Sequence, residues 1–551
     1  MKIRNSKWLA LGGMSVGVLV ASMEACGGDD SSAGGGTDSG SPDVTVIDSA
    51  TPDAGHDGPE VCGVAPDPDP TPKVRLVNLL LARNVQQPVG QGDPPAVRLY
   101  VNGTAVSDLG TVPGGRGPLS VTKYAKVAAG AITFSVQATG ADGGVSYTLP
   151  TDVLDVPSGA RLTIFAVGSP GQTDEGKAKL VIVREDFPAV QCGQVALRFV
   201  NADFDWGTGP DSFVVDHAAQ AAANLSLGQV SDAAGLVAPV TTKSIVVTNS
   251  YPQLEGPTGQ APFTVPASVL ARGRSYFVIS AGEQFRVADD ERNQGLLLLP
   301  VGDDTQATWI KRDPIAYLFH AAPPSTPPTL QVQSGGQTLA INLDYGQIPT
   351  YTDLPLSGAQ LDFVPVVPDA GVDGGGGAVL EHQDTGPLDP GGVYVVGLLG
   401  SGAGAGAQPL QMKLWKIQPD FYFGSNLNYP RVVAINAALS APTADVGYWS
   451  VDNGGTKGNT FTPVFAGIAY GAISDSSGVD IKAPQVSGAQ WLGAQLAGQP
   501  ATNRATRGTL SAGWQLAVLL GDWSASSGAS SANLVFMGFS SSETSFPLPA
   551  P

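Results

Sequence analysis

Side chains able to act as nucleophiles or metal ligands are sparse in this chain. A Gly-x-Ser-x-Gly string, the pattern of a serine nucleophile elbow, occurs at residues 13–17, inside an apolar amino-terminal segment. The four histidines are His56, His217, His320 and His382, and none has a cysteine, glutamate or second histidine at the spacing of a zinc site. We therefore expect no catalytic residue, no metal site and no cofactor, and a protein that is not an enzyme.

A cluster of carboxylates offers one alternative. Asp203, Asp205 and Asp211 lie close together in the string NADFDWGTGPD, and a loop of this kind can present the oxygen ligands that calcium prefers. The string lacks the Gly and Glu positions of the helix-loop-helix calcium site, and Asp and Gly are also what turns favour. Turn formation is the simpler interpretation, and calcium binding is left open.

The tryptophans give the clearest indication of ligand binding. Half of the eight lie near the carboxyl end, at Trp449, Trp491, Trp514 and Trp523. Trp491 sits in the glycine-flanked stretch GAQWLGAQLAG, which predicts a loop, and an exposed ring there could stack on a sugar or anchor a protein partner. Trp514 and Trp523 are predicted to fill a core. For Trp491, core packing and ligand binding are equal alternatives.

The amino terminus is typical of an exported protein. Basic residues among the first seven positions precede a short uncharged run, as in a secretion signal. Ala25 and Cys26 follow, and they resemble the processing site of bacterial lipoproteins, in which the cysteine receives lipid and becomes the new amino terminus. The resemblance implies that residues 1–25 are removed and that Cys26 anchors the protein to a membrane. Free secretion after a nearby cut is the alternative.

A flexible tether is predicted after the anchor. Residues 27–72 contain acidic residues, Gly, Ser and Pro, but no Lys or Arg, so they cannot bury enough apolar surface to fold. A coil of this length spans roughly 35 to 40 Å between its ends.

Cys62 and Cys192 remain once Cys26 is assigned to the lipid. Export places such a pair in a compartment where disulfides persist, and the two residues flank the first predicted domain. We expect a disulfide between them. Two unpaired thiols are the alternative.

The chain repeats one strand-and-turn motif. It reads VPSGARLTIFAVG from Val156, LARGRSYFVISAG from Leu270, LDPGGVYVVGLLG from Leu388 and LSAGWQLAVLLG from Leu510. The copies lie roughly 115 residues apart, longer than the units of solenoids and propellers, so the repeat is a whole domain. A second motif keeps the same period in VRLVN, VALRFVN, IAYLFH and VVAIN.

Short apolar strands joined by Gly and Pro turns predict an all-β fold, with about seven strands in each two-sheet sandwich. No stretch predicts a long helix. The predicted organisation is a signal peptide at 1–25, a disordered acidic tether at 26–72, and sandwiches at 73–193, 194–313, 314–428 and 429–551, arranged in line like beads.

The order of these motifs resembles a repeat domain of unknown function common in secreted and lipid-anchored bacterial proteins. VRLVN, VRLYVNG and VPSGARLTIFAVG carry the resemblance best, and it covers most of residues 73 to 540. It implies four tandem immunoglobulin-like β-sandwich domains at the cell envelope and no catalytic motif.

The net charge of −19 argues against nucleic acid as a partner, because such binding needs clustered Lys and Arg. We expect an outer-membrane lipoprotein, periplasmic or surface exposed, whose domains bind polysaccharide or a surface protein. A structural spacer without a ligand is the alternative, and an extracellular hydrolase is a more remote one.

Overall fold

The fold is all-β in the computed structural model of the chain. The structure describes residues 68–80, 95–113, 118–139, 145–170, 176–203, 210–216, 220–249, 260–282, 295–302, 306–322, 329–347, 351–366, 378–401, 408–418, 429–452, 455–483, 490–510, 513–525, 531–538 and 543–547. Helical structure in these ranges is limited to 3-10 turns at Ser107–Leu109, Pro118–Ser120 and Pro500–Thr502. No helix in the described ranges is long and apolar enough to cross a membrane.

The strands form four sandwiches. Each combines a junction sheet, which contains a parallel strand pair, with an antiparallel outer sheet. In sandwich one, the junction sheet contains β1 (Lys73–Asn78), β4 (Ala125–Lys126), β9 (Arg161–Val167) and β10 (Lys179–Arg184). The outer sheet contains β2 (Val97–Val101), β3 (Thr104–Ala105), β6 (Phe134–Thr139) and β7 (Val145–Pro150). A small additional sheet pairs β5 (Gly130–Ile132) with β8 (Leu154–Val156).

Sandwich two has a five-stranded junction sheet of β11 (Gln194–Asp203), β14 (Leu236–Pro239), β17 (Ser275–Gly282), β18 (Gly295–Pro300) and β19 (Thr308–Lys311). Its outer sheet contains β12 (Asp211–Val215), β13 (Gln220–Leu225), β15 (Ser244–Asn249) and β16 (Gln260–Thr264).

Sandwich three has a junction sheet of β20 (Ile315–His320), β23 (Thr352–Asp353), β26 (Val393–Leu399) and β27 (Gln411–Ile417). Its outer sheet contains β21 (Thr329–Ser334), β22 (Gln337–Asp344), β24 (Gln360–Pro365) and β25 (Glu381–Asp384).

Sandwich four has a junction sheet of β28 (Pro430–Asn436), β31 (Val479–Asp480), β34 (Gly513–Leu520), β35 (Asn533–Gly538) and β36 (Glu543–Pro547). Its outer sheet contains β29 (Thr443–Val451), β30 (Lys457–Ala469), β32 (Gln490–Leu496) and β33 (Arg504–Gly508).

The two repeated sequence motifs are hydrogen-bonded neighbours in space. The first strand of each sandwich pairs in parallel with the strand of the longer motif: β1 with β9, β11 with β17, β20 with β26 and β28 with β34. Asn78 lies beside Ala166 in this ladder, and Asn436 lies beside Leu519. The shared ladder explains why both motifs keep one period.

An asparagine at the end of the first strand joins the two sheets. In sandwich one, the Asn78 amide donates to the carbonyls of Pro95 (2.9 Å) and Val112 (3.2 Å), and its oxygen accepts from the Leu80 N–H at 3.3 Å. Asn436 uses its side chain in the same way in sandwich four. A buried amide with donor and acceptor both satisfied stabilises the strand end.

The predicted turns have the expected geometry at two positions. Asn102 and Gly103 have φ of 50° and 79° between β2 and β3, as a two-residue hairpin turn requires. Gly168, which closes the longer motif, has φ of 84°, and a Cβ there would lie 2.7 Å from the Lys177 carbonyl oxygen. Only glycine fits this position without displacing backbone.

Sandwiches one and two pack through their junction sheets. Phe165 and Phe277 meet edge to face across the contact, with ring centroids 5.5 Å apart. One buried cluster contains Val77, Phe165, Val167 and Val183 of sandwich one with Phe277, Ile279, Leu297 and Leu299 of sandwich two. Each of these junction sheets is thus buried on both faces, and the expectation of four separate beads in line is wrong for this pair.

A buried ion pair lies within the same contact. The Arg75 and Glu185 side chains are each 1% exposed, with Nη2 and Oε1 3.1 Å apart. Arg75 also donates to the Thr163 hydroxyl at 2.9 Å and, across the contact, to the Pro300 carbonyl at 2.7 Å. The Tyr124 hydroxyl donates to Glu185, so both charges are held by several hydrogen bonds.

Sandwiches three and four pack in the same manner, with a more apolar contact. The cluster contains Tyr317, Phe319, Val395 and Trp415 of sandwich three with Val433, Ile435, Val518 and Val535 of sandwich four. The Trp415 indole donates to the Gly471 carbonyl across the contact at 3.3 Å. Val433 stands in the strand position that Arg75 occupies in sandwich one, counted from the terminal asparagine.

Two tyrosines flank this second contact. Burial raises the pKa of Tyr345 to about 12, and the Gly521 backbone of sandwich four partly opposes the rise. Burial likewise raises the pKa of Tyr470 to about 12, opposed by the Gly400 backbone of sandwich three. Gly400 and Gly521 both close the longer motif, so each sandwich contributes one tyrosine and one closing glycine.

Candidate functional site

The outer sheet of sandwich four carries aromatic side chains on its outward side. Val446 of β29 and Leu492 of β32 belong to the sandwich core. Because side chains alternate along a strand, Trp449 and Trp491 lie on the opposite side of the sheet. Phe461 of β30 lies directly opposite Trp449 in the ladder. We call Trp449, Phe461, Trp491 and the adjacent Lys457 the aromatic face.

Trp449 is the central ring of the aromatic face. Its side chain is 4% exposed, and its ring centroid lies 5.3 Å from that of Phe461, at an interplanar angle of 52°. The Lys457 ammonium lies 3.6 Å from the Trp449 centroid, which is a cation–π contact. The Trp449 indole nitrogen has no hydrogen-bond partner among the described residues.

A glycine on β32 makes room for the indole. Gly447 and Gly493 lie directly opposite each other on β29 and β32. A Cβ on Gly493 would lie 2.7 Å from the Trp449 indole nitrogen, closer than atoms approach without displacement. The sheet therefore has no side chain at this point, and the Trp449 indole lies against its backbone.

Trp491 belongs to β32, so the prediction of a loop at this residue is wrong. The strand is rich in Gly, Ala and Gln, which have low strand propensity, and tertiary pairing with β29 and β33 overrides that preference. Trp491 is half-buried, and its indole nitrogen donates to the Gly455 carbonyl at 3.4 Å. Its cross-strand neighbour, Arg507, is exposed. Part of the Trp491 ring is accessible beside a cation.

The arrangement suits stacking and hydrogen bonding. Aromatic faces pack against the C–H side of a sugar ring or a flat apolar group, and an indole N–H can donate to a hydroxyl. Lys457 and Phe461 lie on β30, which no sequence motif predicted.

Metal binding has no support in the described ranges, which contain no group of three His, Cys, Asp or Glu side chains able to hold an ion. Asp203 and Asp211 are buried, and Asp205 lies outside the described residues. His320 is wholly buried at the end of β20, edge to face with Tyr345 at 5.8 Å.

The remaining candidates are two tryptophans and three cysteines. Trp523 is 6% exposed in the core of sandwich four, as predicted, and Trp514 packs against the contact between sandwiches three and four. Cys192 lies in the turn before β11. Cys26 and Cys62 lie outside the described residues, so the lipid anchor and the disulfide stay predictions.

Comparison with known proteins gives one family match. A family model described as Domain of unknown function (DUF4397) matches residues 90–208. The matched segment begins just before β2 and ends after β11, so it leaves out β1 and includes the first strand of sandwich two. No curated protein shows a significant match to the chain. The matched segment contains VRLYVNG and VPSGARLTIFAVG, two of the three motifs that carry the resemblance in the first domain.

Proposed function

We propose that this chain is a lipid-anchored protein of the cell envelope whose β-sandwiches display binding surfaces. The aromatic face of sandwich four is the binding surface with the best support. The observation that carries the proposal is the half-buried Trp491 ring on the outward side of a sheet, next to the exposed Arg507. A core tryptophan of a finished sandwich would instead point inward, as Trp523 does.

Polysaccharide is the ligand class that fits the aromatic face best. Half-buried Trp491 and Phe461 supply ring surface, while Lys457 and Arg507 add charge near the rings. Sugars offer both an apolar C–H side and hydroxyl acceptors, and so match rings beside cationic side chains. A surface protein with an aromatic anchor is the other ligand that this surface suits.

The amino-terminal features support the location. Cys26 would hold the protein at the outer membrane, on the periplasmic or outer side, and residues 27–72 would act as the tether. The tether length permits the sandwiches to stand roughly 35 to 40 Å from the lipid. At that distance, the sandwiches would lie beyond the lipid headgroups and could contact long polysaccharide chains.

The test is a screen of the protein on an array of surface polysaccharides, with and without Trp491→Ala. We expect the substitution to lower affinity for the retained polysaccharide about tenfold or more, since a stacked ring in a binding site contributes on the order of 2 kcal/mol. Tyr100→Ala is the matched control, because Tyr100 is a half-buried ring on the outward side of β2 in sandwich one. Equal binding by all three proteins would contradict the proposal.

A structural spacer is the second candidate. The observation that favours it is the paired packing of sandwiches, in which wholly buried apolar contacts make stiff double units. A spacer should bind no ligand on any array. Deletion of a pair of sandwiches should abolish its function, and an unrelated rigid insert of equal length should restore that function.

A further inference from the structure

The junction sheets differ in strand number. Those of sandwiches two and four have a fifth strand, β19 beside β18 and β36 beside β35. In sandwich one, the strand that corresponds to β18 and β35 is β10. No described residue pairs with the outer edge of β10. An unpaired edge presents backbone N–H and C=O groups that can accept another strand.

The pairing registers make the position equivalent. Leu180 pairs with Ala166, which lies beside Asn78, and Leu296 pairs with Ser280, which lies beside Asn201. Leu180 therefore corresponds to Leu296. By the same relation, Leu180 corresponds to Leu534 of β35.

The two fifth strands share a residue pattern at this position. In sandwich two, Ile310 lies opposite Leu296 and Thr308 opposite Leu298. In sandwich four, Phe546 lies opposite Leu534 and Thr544 opposite Phe536. Both strands thus read threonine, any residue, then a large apolar residue.

A groove runs along the open edge of β10. It has a volume of about 410 Å³ and is lined by Leu180 and Ile182 together with residues 150–154, which run from the end of β7 to the start of β8. Leu180 and Ile182 are half-buried, and Val153 is 68% exposed. An inward side chain of a fifth strand would enter this groove between the two sheets.

The backbone is oriented to receive a strand. The Glu185 N–H donates to the Arg161 carbonyl of β9 at 3.0 Å. Because backbone groups alternate in direction along an antiparallel strand, the N–H and C=O groups of Leu180 and Ile182 point away from β9. The Arg184 carbonyl, at the far end of this edge, is occupied by the Arg198 guanidinium at 2.9 Å.

We propose that the outer edge of β10 is an acceptor site for an extended segment of a partner protein, which adds as a fifth antiparallel strand. The segment carries threonine opposite Ile182, a large apolar residue opposite Leu180 and an acidic residue opposite Lys179. The first two follow the chain's own fifth strands, and the third is complementary to the exposed Lys179 ammonium. A second copy of β10 is a poor occupant, because its sequence KLVIVR has two cationic residues and no carboxylate to pair with Lys179.

The test uses a labelled peptide, Ala-Thr-Trp-Ile-Glu, whose Thr-Trp-Ile core is that of β19, titrated into the full chain by fluorescence anisotropy. Saturable binding supports the proposal. We expect replacement of the peptide isoleucine by aspartate to abolish binding. We expect Ile182→Pro to weaken binding at least about tenfold while sparing the β9 ladder, since it removes only an outward N–H.

A charge exchange keeps the test independent of that variant. Lys179→Glu should weaken the glutamate peptide about threefold to tenfold and should favour the lysine version of the peptide by a similar factor. Absence of binding to the unaltered chain would overturn the proposal, as would equal binding of both peptides by both proteins. A dimer of the chain that the peptide dissociates would also overturn it, in favour of self-association.

Discussion

Arg75 and Arg198 make reciprocal hydrogen bonds between sandwiches one and two. Arg75 of β1 donates to the carbonyl of Pro300, the last residue of β18, and Arg198 of β11 donates to the carbonyl of Arg184, the last residue of β10. The two arginines hold the same strand position, three residues before Asn78 and Asn201. The contact is therefore an approximate two-fold arrangement within one chain, in which each sandwich clasps the final strand end of the other.

Removal of one arginine should destabilise this pair strongly. Arg75→Met leaves the Glu185 carboxylate buried without its cation, and we expect the free energy of unfolding to fall by about 3 to 5 kcal/mol in chemical denaturation. Arg98→Met, at an exposed arginine of β2, is the matched control and should cost less than about 0.5 kcal/mol. Combining Arg75→Met with Glu185→Leu should recover much of the loss. Equal stability of the Arg75 and Arg98 variants would refute the role of the ion pair.

The contact between sandwiches three and four should weaken at high pH. Tyr345 and Tyr470 have pKa values raised from 10.0 to about 12, so the folded protein holds these protons more tightly than the unfolded chain does. Their contribution is complete below pH 10 and is lost as the pH rises from about 10 to about 12. The change amounts to at most about 2 to 3 kcal/mol for Tyr345, and it is smaller for Tyr470, which solvent screens more.

The measurement for these tyrosines is the free energy of unfolding at several pH values between 9 and about 12. Tyr345→Phe and Tyr470→Phe should each flatten part of the decline, and the double variant should flatten more. A decline as steep in the double variant as in the unaltered protein would show that other groups cause it.

Cys26→Ser should release the protein from membranes into the soluble fraction, because the serine hydroxyl cannot take the thioether-linked lipid. Cell fractionation and immunoblotting measure the change. Cys62→Ser is the matched control and should leave the membrane fraction as it was. If the Cys26 variant stays with the membrane, the protein is not held there by lipid on this residue.

Cys62 and Cys192 should give no free thiol in the denatured, unreduced mature protein. A bond across this segment would stabilise it by roughly 5 kcal/mol on the chain-entropy description, and measured values are often smaller. Titration with a thiol reagent, before and after reduction, measures the pair. Two reactive thiols per chain before reduction would rule the bond out.

The motif strands were predictable because their physical signal is strong. VYVVGLL of β26 is a continuous apolar run and RLTIFAV of β9 is nearly one, which is typical of strands covered on both faces. This pattern already indicated that both faces of the junction sheet are covered. Such coverage requires a second sandwich on the outer face, which an arrangement in line would not supply. Arg75 obscured it, since an arginine in such a strand suggests solvent until its partner Glu185 is known.

The outer strands were harder to predict. EHQD of β25 and QAAANL of β13 have no apolar alternation, and each is an edge strand held by backbone pairing with one neighbour. The aromatic face required tertiary pairing, since Trp449, Phe461 and Trp491 come from three strands. Only the clustering of tryptophans in one domain indicated it.

The double coverage of the junction sheets sets a rule of parity for the chain. A lone sandwich would expose the Phe165 or Phe277 side of its junction sheet, a large apolar surface that promotes aggregation. Loss or gain of one sandwich by recombination leaves one junction sheet with an uncovered apolar face. Loss or gain of two leaves every junction sheet covered. Viable shorter and longer forms of such a chain therefore differ by even numbers of sandwiches, and the unit that is duplicated or deleted is the pair.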